Sequence, residues 1–208
     1  MPNIRAPDMP SPEEALERLQ EGNARFRAGK SSTGAGTWSP EQAAAQRPFA
    51  IVLGCSDSRT PVEILFDQGF GDLFVVRVAG NIVAPSIVGS IEFAASQFGS
   101  RLVVVMGHTG CGAVAATVRA VATGLGSDSK NIRSITDRIS PHVEHLVRPG
   151  GPAPESILAE AVRANVRAST DHLRHGSRLL EELVLEGRLS VVSAEYELAT
   201  GMVRFLDR

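Results

Sequence analysis

The sequence predicts an α/β fold, a mostly parallel central β-sheet flanked by helices. Three observations lead there. Residues 49–53, 73–78 and 102–106 are short apolar runs rich in β-branched residues and poor in charge. Such continuous runs suit strands buried on both faces of a parallel sheet. Between them lie stretches with apolar residues at helical spacing, as at Ile87, Val88, Ile91, Ala95 and Phe98. Strand and helix patterns therefore alternate, and alternation of this kind builds a sheet with helices on both faces.

In chain order, residues 1–10 hold three prolines and read as a loose N-terminal arm. Ser11-Pro12-Glu13-Glu14 is a capping box with proline at the first helical position. It opens a helix whose apolar face carries Ala15, Leu16, Leu19 and Phe26. Residues 29–37 are a glycine- and serine-rich loop. Ser39-Pro40-Glu41-Gln42 is a second capping box, expected to start a short helix ending before Pro48, with Trp38 just ahead as a packing or interface residue. After the third strand a helix is expected over about 112–122. Residues 124–153 are rich in Gly, Ser, Asp and Pro at both ends, with a short helical stretch between. A long helical region over 154–186 breaks near Gly176 and stops at Glu186-Gly187. Residues 189–192 and 202–206 read as final strands joined by a turn at Thr200-Gly201, with Tyr196 a sheet residue. No repeat, low-complexity segment or linker divides the chain, so residues 1–208 read as a single domain.

Composition removes several functions. With 21 Lys+Arg against 23 Asp+Glu in 208 residues, the net charge is −2. That leaves no basic footprint for nucleic acid. No apolar run reaches the roughly 18 residues of a membrane span, and residues 1–8 lack the apolar core of a signal peptide. Cys55 and Cys111 are the only cysteines, too few for a disulfide-stapled scaffold. The expected location is the cytoplasm, where two lone cysteines are free thiols or metal ligands.

Both cysteines directly follow an apolar run, in Gly54-Cys55-Ser56-Asp57-Ser58-Arg59 and Gly107-His108-Thr109-Gly110-Cys111-Gly112. Ligands of α/β sheets bind at the carboxyl ends of strands, so the two loops can meet at one end of the sheet. A single cysteine in such a place is commonly just a small buried apolar residue. Two, each beside a second donor, point to a metal. Thiolates and imidazole in tetrahedral geometry suit zinc. Cys55, His108 and Cys111 supply three ligands, and Asp57 can fill or vacate the fourth position. Arg59 can pair with Asp57 and hold it off the metal. The 107–112 loop lacks the order of a phosphate-binding loop. The pairs His142/His145 and His172/His175 stand at i, i+3 on expected helices and read as solvated faces without a third ligand.

These two motifs, together with Gly71-Asp72-Leu73-Phe74-Val75-Val76-Arg77-Val78-Ala79-Gly80-Asn81, closely resemble the β-class carbonic anhydrases. Glu21-Gly22-Asn23-Ala24-Arg25-Phe26 and Tyr196-Glu197-Leu198-Ala199-Thr200-Gly201 extend the resemblance over most of the chain. It implies zinc on Cys55, His108 and Cys111, with Asp57 and Arg59 as a gating dyad. It also implies substrate contacts from Gln46, Phe74, Phe93 and Gly110. Many relatives carry tyrosine at the position of Phe93. One branch of the family, inhibited by bicarbonate, places tryptophan at the position of Val52; its absence here, with Gln46 present, favours an open zinc site. The implied activity is reversible hydration of carbon dioxide to bicarbonate, by a homodimer or homotetramer whose N-terminal helices embrace a second subunit. A zinc hydrolase of carbon disulfide or carbonyl sulfide, or a non-catalytic zinc or bicarbonate sensor, would share the ligands.

Overall fold

The computed structural model describes residues 9–32, 40–43, 45–148, 151 and 153–207. Among these, strands β1 (Ala50–Gly54), β2 (Leu73–Arg77), β3 (Leu102–His108), β4 (Ser190–Glu197) and β5 (Met202–Phe205) form one sheet in the order β2-β1-β3-β4-β5. The first four are parallel and β5 is antiparallel to β4. Helices α1 (Pro12–Arg27), α2 (Val62–Leu65), α3 (Pro85–Gln97), α4 (Gly112–Thr123), α5 (Lys130–Val143), α6 (Pro154–His175) and α7 (Arg178–Leu185) complete it.

Alternation along β1 decides the layers. Ala50 and Val52 pack with Ala15 and Leu19 of α1 and Leu65 of α2. Ile51 and Leu53 point the other way, toward Ile91 of α3, Val166 and Leu173 of α6 and Leu180 of α7. All four β1 side chains are fully buried, and each large one stabilises the fold by about 1.5–3 kcal/mol. A third cluster holds Cys55 and Cys111 among Val114 and Val118 of α4, Ile139 and Val143 of α5 and Val162 of α6.

The first capping box forms as expected: the Glu14 N–H donates to Ser11 Oγ at 3.2 Å and the Ser11 N–H to Glu14 Oε2 at 2.7 Å. The second does not give an α-helix. Pro40–Ala43 is one 3-10 turn, because Pro48 forces extended backbone soon after and so short a segment gains little from helix propagation. Ser39, Trp38 and residues 1–8 of the expected N-terminal arm lie outside the described residues. Helix α2 was not expected; it is a single turn between the first cysteine loop and β2. Strand β4 runs to Glu197, well past the expected 192. Its polar Ser193 and Glu195 interrupt the apolar pattern yet are buried, Ser193 because its Oγ bonds Thr170 Oγ1 and Asp207 Oδ2, both at 2.8 Å. The break near Gly176 and the turn at Gly201, φ 71°, are present.

Candidate metal centre

Sheet order builds the site. β1 and β3 are neighbours, but the chain leaves β1 for β2 on one side and reaches β4 from β3 on the other. This is a point where strand order reverses, and loops at the carboxyl ends there diverge and leave a crevice. Cys55 follows the last residue of β1, and His108 ends β3. Cys111 is the N-cap of α4, reached through a tight turn at Gly110, whose φ of 69° favours glycine. Cys55 Sγ and Cys111 Sγ thus lie 4.0 Å apart although 56 positions separate them.

The donor atoms of Cys55, His108 and Cys111 all lie within 4.8 Å of one another, and all three residues are buried. Two thiolates on a tetrahedral zinc would be about 3.8 Å apart, given bonds near 2.3 Å. The spacing fits a common ion and is far too long for a disulfide. His108 Nδ1–H donates to the Thr109 carbonyl at 3.0 Å. That bond leaves Nε2 as the lone-pair nitrogen, and among the described residues Nε2 is buried without a hydrogen-bond partner. A buried orphan acceptor beside two sulfurs is what a metal would satisfy.

The electrostatics agree. The hydrogen bond with Cys111 draws the Cys55 thiol well below the usual range, helped by the Gly80 N–H on its Sγ at 3.4 Å. The same bond, with burial, pushes Cys111 upward, while the backbone of Ala113 and Val114 in the first turn of α4 pulls it down. The two sulfurs are hydrogen-bonded to each other, and a metal held by both thiolates would take the place of that proton contact. Burial alone would lower the His108 pKa, but Cys55 and Asp57 nearby raise it above its ordinary value.

Asp57 sits at the mouth. Arg59 Nε donates to Oδ1 at 2.9 Å and Nη2 to Oδ2 at 2.8 Å, a bidentate pair. This pairing holds the Asp57 carboxyl far below the usual carboxylate range. Oδ2 also lies 3.8 Å from His108 Nε2. Three residues to which no role was attached brace the loops. Arg77 donates to the carbonyls of Cys55 at 3.0 Å and Asp57 at 2.6 Å. Thr60 Oγ1 donates to the same two carbonyls. Thr109 is anchored to β4 and the turn after it by its N–H on Tyr196 O and by the Leu198 N–H on its Oγ1. A charged residue ending an apolar strand, as Arg77 does, was the available signal.

Within this one chain Gln46, Phe74 and Phe93 stand apart from the donors, and Gly110 stands beside them. Gln46 is exposed in the segment leading to β1. Phe74 pairs in register with Ile51, about 13 Å of strand before Cys55. With Phe93 and Phe98 it forms an aromatic group, ring centroids 5.6–6.4 Å apart, and Phe93 is 52% exposed. Gly110 is exposed beside the donors.

Fold and site together define a parallel α/β protein with a Cys-His-Cys metal-binding triad at a switch point. Residues 50–203 match the carbonic anhydrase family. The chain is 36% identical over 205 residues to carbonic anhydrase 2 of Mycobacterium tuberculosis, covering 95% of this chain and 94% of that protein. It is 38% identical over 201 residues to the carbonic anhydrase of Mycolicibacterium smegmatis, covering 93% and 92%. Its fold is similar to that of CafA, a β-carbonic anhydrase of Aspergillus fumigatus, with a TM-score of 0.72 at 26% identity over 94% of this chain and 90% of that one. A tetrameric β-carbonic anhydrase of Sordaria macrospora gives 0.71 at 23%, over 94% and 96%. The chain belongs to the β-carbonic anhydrase family.

Proposed function

We propose that the chain catalyses the reversible hydration of carbon dioxide to bicarbonate and a proton, with zinc held by Cys55, His108 and Cys111. The observation that carries this reading is the convergence of the three donors within 4.8 Å, with the Asp57 carboxylate, gripped by Arg59, beside them. When bound there, zinc supplies a Lewis acid that makes water nucleophilic near neutral pH. Asp57, kept ionised by Arg59, can only accept hydrogen bonds. It therefore accepts a hydrogen bond from the attacking oxygen and orients that oxygen toward carbon. Arg77 and Thr60 hold the carbonyls of Cys55 and Asp57, so the carboxylate keeps its direction.

Phe74 lies about 13 Å of strand before Cys55, and Phe93 of α3 packs beside it. An apolar pocket for an uncharged substrate is completed when this aromatic group, with Gln46, faces the site of a second copy. This supports a homodimer or homotetramer, in keeping with the similar chain from S. macrospora, whose enzymes are described as tetrameric. Two free thiols suit a reducing cytoplasm. No helix among the described residues is long and apolar enough to cross a membrane.

Zinc analysis and stopped-flow hydration with a pH indicator, run on one preparation, test the reading. One zinc per chain with carbon dioxide hydration is expected. Absence of zinc, or zinc without hydration, overturns it. Sedimentation of the same preparation should give a dimer or tetramer.

A further inference from the structure

Away from the metal centre, basic side chains converge at a cavity of about 130 Å³ between α5 and α6. Its floor is Ile82 and Val83, just beyond the turn that carries Gly80. Arg138 and His142 enter from α5, Ser169 and His172 from α6. Arg138 and His142 are at i, i+4, and Ser169 and His172 at i, i+3, so each pair shares one helix face. The two imidazoles, assigned by sequence to separate solvated pairs, face each other: His142 is half-buried, and burial together with the charge of His172 holds its pKa below the ordinary value.

The cavity is electrically one-sided. No carboxylate lines it among the described residues. The acidic residues closest in sequence turn elsewhere: Asp137 lines a separate cavity between α4 and α5, and Asp171 pairs with Arg174 at 3.3 Å. Arg138 Nη1 donates to the Ser134 carbonyl, a neutral acceptor that leaves its charge uncompensated. A transition metal is a poor occupant. Arg138 repels a cation, and the one three-donor group among the described residues is the Cys-His-Cys triad.

We infer that this cavity binds a small oxyanion, of the phosphate or bicarbonate class, between Arg138, His142 and His172. The volume admits a small ion with some water and excludes anything as large as a nucleotide. A guanidinium offers fixed charge-assisted donors, and each imidazole becomes a double donor when protonated. The charges facing the anion are Arg138 and His142 from α5 and His172 from α6; residues 82–83 add none. Protonation of His142, which burial and His172 oppose, would add positive charge to that of Arg138.

The test uses the full zinc-loaded chain. Sodium phosphate is titrated at about pH 6 and about pH 8, on either side of the imidazole range, at ionic strength held constant with chloride. Heat and histidine ring proton signals are recorded, the signals assigned with His142→Gln and His172→Gln. Expected are saturable binding of one phosphate per chain, with the His142 and His172 signals moving together. Arg138→Gln, at an exposed position, should weaken binding about tenfold while hydration is retained, as loss of a charged hydrogen bond predicts. A parallel bicarbonate titration identifies the source: whichever anion displaces the other at equal free concentration is the ligand class. No saturable binding, an equal response to chloride, unmoved His142 and His172 signals, or undiminished phosphate affinity in Arg138→Gln would each overturn the inference. The last outcome would place the anion on the metal instead.

Discussion

Arg59 grips both carboxylate oxygens of Asp57 through a two-pronged contact, at 2.9 Å on Oδ1 and 2.8 Å on Oδ2. The contact turns Asp57 into a fixed acceptor next to the donor triad. Asp57→Asn keeps the shape but offers a donor where an acceptor is required. It is expected to lower kcat/KM for hydration by about a hundredfold, with one zinc per chain retained. Arg59→Ala, which frees the carboxylate without removing it, should lose activity as well. Stopped-flow rates beside zinc analysis check both; an Asp57→Asn protein with unchanged kcat/KM would remove Asp57 from the mechanism.

The same contact sets a pH signature. Asp57 is held far below the usual carboxylate range, first by the Arg59 side-chain hydrogen bonds. A depressed carboxylate contributes stability that is complete above the unfolded value of about 4 and is lost as pH falls through the folded one. The Tm difference between the parent chain and Asp57→Asn should thus be flat from neutral to mildly acidic pH. It should shrink only below about pH 4. Melting curves across this span check it. A difference that closes between neutral pH and about 6 would mean that a histidine, not Asp57, titrates there.

Cys111 supplies both a sulfur and the N-cap of α4. Cys111→Ala leaves two donors, and two cannot hold zinc in the manner of a three-ligand site. Zinc should be lost on gel filtration, and hydration with it. Cys111→Ser, with a poorer ligand at the same place, separates metal loss from misfolding. Its circular dichroism should match the parent while its zinc content falls. Full zinc occupancy in Cys111→Ala would exclude it as a ligand.

How much of this was legible in sequence depends on where each residue finds its partner. Strands β1, β2 and β3 could be read because residues 50–53, 73–76 and 102–106 are apolar without interruption. β4 was cut short because Ser193 and Glu195 look like solvent-facing residues. Their burial depends on Thr170, Asp207 and Arg163, which no local pattern brings near. The triad was visible because each donor stands at the end of an apolar run. The braces were less so: beyond the charge of Arg77 at the end of an apolar strand, Arg77, Thr60 and Thr109 act through backbone atoms of other segments, and backbone carries no residue-type signal. Register, which pairs Phe74 with Ile51 in mid-strand, is likewise not carried by residue type along the chain.

Asn165 is the most remote of these supports. It is fully buried on α6, and its Nδ2 donates to the Gly80 carbonyl at 2.8 Å, while the Gly80 N–H faces Cys55 Sγ at 3.4 Å. One peptide segment thus ties a helix to a metal-binding sulfur. Gly80 has φ 70°, and a Cβ there would stand 2.8 Å from Ile139 Cδ1 and 3.1 Å from Ala113 Cβ. Gly80→Ala should therefore destabilise the fold by more than the roughly 1 kcal/mol of backbone strain alone. Asn165→Ala leaves the Gly80 carbonyl without its donor, at a cost of about 1–3 kcal/mol. A purely structural loss would lower Tm and nothing else. A role in positioning Cys55 predicts in addition faster transfer of zinc to a chelator. Thr170→Val on the same helix removes a buried hydroxyl bonded to Val166 and Ser193, and serves as the control. It should lower Tm while zinc release stays at the parent rate. Equal zinc release from Asn165→Ala and Thr170→Val would reduce Asn165 to a packing residue.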